Sequence, residues 1–142
     1  EDGLLHLVPE RVVGAGAQRV LVDAPCSGIG VLRRNPEARW RLSKTDIDEI
    51  TAKQQRILAA SARLVAPHGR LIYATCTILR RENDEIVDAF LRSHPDFVSV
   101  SAKEILGSAR ASQFGDGERL RILPTENGPD GFFAAVLRRK LG

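Results

Sequence analysis

The chain has no methionine, one tryptophan, one tyrosine and two cysteines in 142 residues. Two cysteines are too few for a disulfide framework, and they form no C-x-x-C pair. The histidines, His6, His68 and His94, are scattered without ligand spacing, so no metal site is expected. A lone disulfide between Cys26 and Cys76 is conceivable, but reduced thiols suit the cytoplasmic setting expected for this chain. No apolar run reaches the roughly 18 residues that a membrane span needs, and no signal peptide opens the chain. It starts at Glu1 without an initiator methionine, and it is expected to be a piece of a longer protein.

What is present suits one globular domain over residues 1–142. The hydrophobic fraction is 43%, and the formal net charge of +3 permits a nucleic-acid partner without demanding one. Residues 19–24 are rich in Val and Leu and read as a strand buried on both faces, with Gly14 and Gly16 in the turn before it. Ser43 and Thr45 each precede an acid by three residues, which is capping-box spacing, and Thr45 is the expected cap. A helical stripe of Ile47, Ile50, Ile57, Leu58 and Val65 follows, ended by Pro67-His68-Gly69. Residues 69–77 read as a second strand, 82–94 as a second helix closed by Pro95, 97–100 as a short strand and 132–137 as a last one. Residues 101–119 read mostly as loop, with a short helix at 103–106. Strands alternating with helices predict an open α/β sheet.

Each cysteine lies just beyond a strand-like run. The first is in Asp23-Ala24-Pro25-Cys26-Ser27-Gly28, the second in Tyr73-Ala74-Thr75-Cys76-Thr77. A helical crossover between the two runs makes them parallel neighbours, about 4.8 Å apart, so both thiols are expected at one rim. Ligands of open α/β sheets bind at that carboxyl rim. Backbone amides after Cys26 are expected to lower its pKa, and Cys76 precedes a helix N-terminus. The competing reading is two small hydrophobes packed in a core.

The run from Asp23 to Pro36, with Ile29-Gly30-Val31-Leu32-Arg33-Arg34-Asn35 following Gly28, resembles motif IV of the NOL1/NOP2/Sun family of RNA cytosine-5 methyltransferases. Tyr73-Ala74-Thr75-Cys76-Thr77-Ile78-Leu79 resembles that family's motif VI. Trp40, Asp46-Ile47, Gln54, Glu82-Asn83 and Asp130-Gly131-Phe132-Phe133-Ala134 also match, and the likeness is greatest to the bacterial Sun-type enzymes that act on ribosomal RNA. Arg80 departs from the pattern, in a stretch where the family usually has proline.

The resemblance implies a Rossmann-like S-adenosylmethionine-dependent methyltransferase fold. This chain would be the C-terminal part of the catalytic domain, with parallel strands and an antiparallel last strand. The family's glycine-rich cofactor loop lies upstream of these motifs, and Gly14-Ala15-Gly16 reads only as a turn. The resemblance further implies that Cys76 is the nucleophile adding to cytosine C6 and that Cys26 assists release of the product. Asp23 would face the cytosine edge, and Asp23 with Pro25 would form a rim for S-adenosyl-L-methionine; a cap for the turn is the plainer role for Asp23.

Three further expectations come from the residues themselves. Gln54 points with the apolar stripe of its helix, either to brace the turn at Pro25 and Cys26 or to bond some other carbonyl. Arg33, Arg34, Arg39, Arg41 and Lys44 stand against the single acid Glu37, a basic stretch suited to RNA phosphates, with Trp40 among them as a packing anchor. Arg80 and Arg81 add charge to the same rim, whereas Arg138, Arg139 and Lys140 are expected merely to solvate a strand end. An isolated piece of this kind is expected to bind the cofactor weakly and to self-associate through an exposed sheet edge.

Overall fold

A computed structural model describes residues 16–28, 43–125, 128 and 130–141. Five strands form one sheet: β1 (Ala17–Asp23), β2 (Val65–Thr75), β3 (Phe97–Val100), β4 (Leu120–Ile122) and β5 (Phe132–Arg139). Their order is β1-β2-β5-β3, with β4 also paired to β5. The β1 and β2 strands run parallel, and β5 is antiparallel to β2, β3 and β4. The expected open α/β sheet and antiparallel last strand are both present. No helix among the described residues is long and apolar enough to cross a membrane.

Helix α1 (Lys44–Ala62) makes the crossover from β1 to β2. Its N-cap is Ser43, not Thr45: the Ser43 hydroxyl accepts from Asp46 N at 3.1 Å, and Asp46 accepts from Ser43 N at 2.9 Å. The acid expected to serve Thr45, Asp48, is instead ion-paired with Arg81. The helix ends at Ala62, and Val65 belongs to β2. Residues 67–69 therefore do not stop a helix. They form a bulge inside β2, where the register jumps from Ala17 opposite Val65 to Arg19 opposite Arg70. His68 takes a left-handed φ of 64° there, and a Cβ on Gly69 would sit 2.8 Å from Ala66 O and 2.9 Å from Ala17 O.

Helix α2 (Asp84–Ser93) follows a 3₁₀ turn over Arg80–Glu82. Both long helices cover the sheet face presented by Val22, Leu71, Tyr73, Phe133 and Leu137, and with Ile57, Leu58, Ile86, Val87 and Phe90 these make the core. Each such side chain taken fully out of water contributes about 1.5–3 kcal/mol. The opposite face is less covered. Leu21 is 66% exposed, so β1 is not buried on both faces as its composition predicts. Among the described residues no strand pairs its outer edge. The stretch expected to be mostly loop contains α3 (Ala102–Leu106) and α4 (Ser108–Ala111). Arg139 does more than solvate a strand end: it donates to Val65 O at 2.6 Å and lies over the Phe97 ring.

Candidate active site

The site begins where the parallel pair β1 and β2 ends. Asp23 is opposite Ala74, and one further bond, Ala24 N to Ala74 O at 2.9 Å, continues the ladder past the end of β1. Pro25 has no N–H to carry it on, so the chain leaves the sheet there. The two strands release their cysteines side by side: the Sγ atoms of Cys26 and Cys76 are 2.9 Å apart, both free and both half-buried. A spacing of 50 residues has become a direct contact.

Beneath the thiols lies a buried polar cluster centred on Glu82, which is 0% exposed. Its Oε1 accepts from Ser27 N at 2.7 Å and from Gln54 Nε2 at 3.2 Å. Its Oε2 accepts from the hydroxyls of Ser27 and Thr77, each at 2.6 Å. Gln54, on α1 and also 0% exposed, donates from the same Nε2 to Pro25 O at 2.9 Å. The Tyr73 hydroxyl donates to Glu82 O at 2.6 Å, tying the 3₁₀ turn to the C-terminal part of β2. Asn83 completes the second loop: it accepts from Thr75 Oγ1 at 2.5 Å and donates to Thr77 O at 2.9 Å. A buried carboxylate is tolerated only when its lone pairs are occupied, and four donors do that here.

Burial pushes the Cys26 thiol up to about 12, and its side-chain hydrogen bond with Cys76 pushes the same way. Backbone hydrogen bonds at Gly28 and Cys76 act in the other direction and are outweighed, so the lowering expected from the loop amides does not occur. Cys26 therefore keeps its proton at neutral pH, with Cys76 sulfur in reach to accept it.

On the rim, Asp23 is exposed at the end of β1 and Pro25 is half-buried. A carboxylate open to water does not need the partner that burial would demand, and a cationic ligand lying across this end would meet its charge. Lys44 is the exposed first residue of α1. Arg33, Arg34, Arg39 and Arg41, with Trp40, lie outside the described residues. Arg80 is exposed beside the second loop. Among the described residues no group of three His, Cys, Asp or Glu side chains is arranged to hold a metal ion.

Sequence reasoning placed Glu82 at the start of the second helix and in a motif match, and gave Ser27 and Thr77 no role of their own. The signal was in plain view: each cysteine is followed at once by a hydroxyl residue, and one acid stands five positions after the second hydroxyl.

Comparison with known proteins gives the chain its relatives. The family described as "16S rRNA methyltransferase RsmB/F" matches residues 6–138. A probable ribosomal RNA small subunit methyltransferase B of Bacillus subtilis is 43% identical over 122 residues, 86% of this chain and 27% of that protein. A ribosomal RNA small subunit methyltransferase F of Erwinia tasmaniensis is 38% identical, over 84% of this chain and 25% of that protein. The chain thus spans about a quarter of the length of these relatives. Among solved structures, PH0851 superposes with a TM-score of 0.75 at 38% identity, over 87% of this chain and 27% of that one. NSun6 from Pyrococcus horikoshii, solved with SFG, shares the fold with a TM-score of 0.67 at 24% identity, over 92% of this chain and 32% of its own. A family match that leaves only the two ends of the chain outside it settles the matter of kinship: this chain belongs to the RsmB/F methyltransferases, Sun-type members of the NOL1/NOP2/Sun family.

Proposed function

We propose that the protein carrying this chain is an S-adenosylmethionine-dependent RNA cytosine-C5 methyltransferase, with ribosomal RNA as substrate, acting through a covalent cysteine adduct. The chain supplies the C-terminal part of the catalytic domain. The observation that carries the reading is the pair of thiols 2.9 Å apart at the carboxyl ends of neighbouring strands. The names of the relatives, all ribosomal RNA methyltransferases in the B and F groups cited, direct the choice of substrate.

Cytosine C5 is a poor nucleophile while the ring is aromatic. The Cys76 thiolate adds to C6, forming a C–S bond, and the C5–C6 π pair moves onto C5. C5 then bonds a methyl group, the proton on C5 leaves to solvent, and its electron pair re-forms the double bond as Cys76 departs as thiolate. This is covalent catalysis, one hard step divided into easier ones. Cys26 holds a proton beside the Cys76 sulfur, so it can donate a hydrogen bond to the departing thiolate and speed release. Asp23 is positioned at the strand end to accept from the cytosine N4 amine or from a protonated N3.

SFG, the ligand of the NSun6 structure, is an S-adenosylmethionine analogue, which supports that cofactor for the family fold. The exposed Asp23 carboxylate fits a cationic sulfonium ligand, with Pro25 closing the rim beside it. When bound, S-adenosylmethionine would supply an electrophilic methyl group, the S–methyl bond breaking and its electron pair staying on sulfur to leave the neutral thioether S-adenosylhomocysteine. The basic stretch of Arg33, Arg34, Arg39, Arg41 and Lys44 would hold RNA phosphates near the same rim.

The test uses the full-length protein and RNA carrying 5-fluorocytosine, whose C5 fluorine cannot leave as a proton does. Wild type should give a covalent protein–RNA adduct and Cys76→Ala none. Cys26→Ala should accumulate adduct even on ordinary RNA. A protein that binds RNA without forming any adduct would be a non-catalytic relative, and the reading would fall.

A further inference from the structure

The thiols belong to two loops that share no covalent neighbour, yet both loops end on one side chain. Ser27 directly follows Cys26 and Thr77 directly follows Cys76, and both hydroxyls donate to Glu82 Oε2 at 2.6 Å. They are themselves 3.1 Å apart. Ser27 N and Gln54 Nε2 hold the other carboxylate oxygen, and Gln54 also reaches Pro25 on the near side of Cys26. The first loop is therefore gripped on both sides of its cysteine. The Glu82 backbone is tethered as well, because its own carbonyl accepts from Tyr73, a fully buried residue near the end of β2.

We propose that Glu82 is a positioning residue: its buried carboxylate sets the separation of Cys26 and Cys76 by holding the residue after each. The catalytic consequence rests on the reading of the two thiols given above; the geometric claim does not. Displacing a reacting group by about 1 Å costs on the order of 100-fold in rate, so a fixed thiol pair is worth a buried acid. Release should suffer more than attack. Attack needs only Cys76, whereas release needs both sulfurs in register.

Glu82→Asp shortens the side chain by one carbon–carbon bond, about 1.5 Å, so it cannot reach both loops at once. Glu82→Gln keeps the shape but replaces one acceptor oxygen with a donor, so either the two hydroxyls or the N–H groups of Ser27 and Gln54 lose their common acceptor. Thr77→Val is nearly isosteric, removes one arm only and keeps the proposal testable should either Glu82 variant fold poorly.

The probe is phenylarsine oxide, which joins two neighbouring thiols to one arsenic atom with loss of one water and reads sulfur spacing without any enzymatic step. In the reduced full-length protein, affinity should fall at least about tenfold in Glu82→Asp, the weight of one hydrogen bond to a charged group. Glu82→Gln and Thr77→Val should move the same way. A second measurement compares covalent adduct on ordinary RNA with turnover. Loosened loops should raise adduct per turnover at unchanged circular dichroism, whereas a merely structural loss lowers both in proportion. Unchanged arsenical affinity in all three variants overturns the proposal, as does an unchanged ratio of adduct to turnover where wild type forms adduct. Should wild type form no adduct on 5-fluorocytosine RNA while the arsenical series behaves as described, the methyltransferase mechanism fails and the geometric role of Glu82 stands.

Discussion

Replacing Gln54 with methionine keeps its length and unbranched shape and deletes its polar atoms, so the expected cost can be worked out bond by bond. Gln54 is fully buried and donates twice, to Pro25 O at 2.9 Å and to Glu82 Oε1 at 3.2 Å. The first bond is neutral and contributes about 1 kcal/mol; the second, to a carboxylate but long, contributes about 1.5 kcal/mol. Against this, Gln54 Oε1 is buried with no partner among the described residues, and removing it returns about 1 kcal/mol. The net loss for Gln54→Met is therefore about 1.5 kcal/mol. Gln54→Glu should be far worse. Two carboxylates about 3 Å apart repel by about 5 kcal/mol at an effective dielectric near 20, unless one takes up a proton. Urea unfolding of the domain containing the two loops, monitored with both variants and wild type, reads the order directly. Methyl transfer should slow in Gln54→Met while RNA affinity holds, because the loss falls on the loop carrying Cys26. A methionine variant within about 0.5 kcal/mol of wild type, or a glutamate variant no worse than the methionine one, would refute the account of this cluster.

Three further outcomes follow from the same geometry. Asp84 is 6% exposed and binds Arg119 at 2.9 Å and Arg121 at 2.5 Å, so Asp84→Ala should cost about 3 kcal/mol by leaving the arginines short of a partner, and Asp84→Asn less, read by urea unfolding. Burial tends to raise the Asp84 carboxyl, but hydrogen bonds from Arg121 and Arg119 hold it below the ordinary value of 3.8. Its stabilisation is thus present above that value and lost as pH falls through the lower folded one. For Cys26 the sign is opposite: the thiol is inert while protonated, so alkylation of Cys26 with Cys76 in place should rise only well above pH 9, the ordinary value. Peptide mass spectrometry of alkylated protein gives the profile, and a midpoint at or below 9 contradicts it. Removing the four charges of Arg33, Arg34, Arg39 and Arg41 together should lower the salt dependence of RNA binding by roughly three in log–log slope, if each meets a phosphate of single-stranded RNA. An unchanged slope would place the RNA elsewhere.

The elements that could be read from sequence were those whose burial is carried by their own side chains. Val20 and Val22, Leu71 and Tyr73, and the ends of the short run from Phe97 to Val100 are apolar where they meet the core, and pattern finds their strands, though β2 begins at Val65 and not at residue 69. Legibility failed where tertiary contacts decide. Leu120–Ile122 is only three residues long and pairs with β5, while its own Arg121 and the preceding Arg119 are clamped to Asp84 on another element; nothing local announces it. Pro67, His68 and Gly69 carry turn chemistry and do turn, but inside a strand, since the parallel neighbour resumes at Arg70. Cys26 and Cys76 were visible as a pair because two strand ends in one sheet bring them together. Glu82 was not, because a buried acid looks like a surface one until the donors from Ser27, Thr77 and Gln54 are seen around it.

The place of β5 in the sheet has a consequence for how the protein is made. It is synthesised after the other four strands and yet lies between β2 and β3, and β4 also pairs with it. While the ribosome is still adding residues 101–131, β2 has a partner on one side only, and the strand end opposite Phe133, at Thr75, has none beyond it. The nascent chain can assemble β1, α1 and β2 early, but the seat of Cys76 closes only when the final segment emerges and inserts. Premature termination before Phe132 should therefore yield a product with both thiols present and an exposed sheet edge, prone to aggregate.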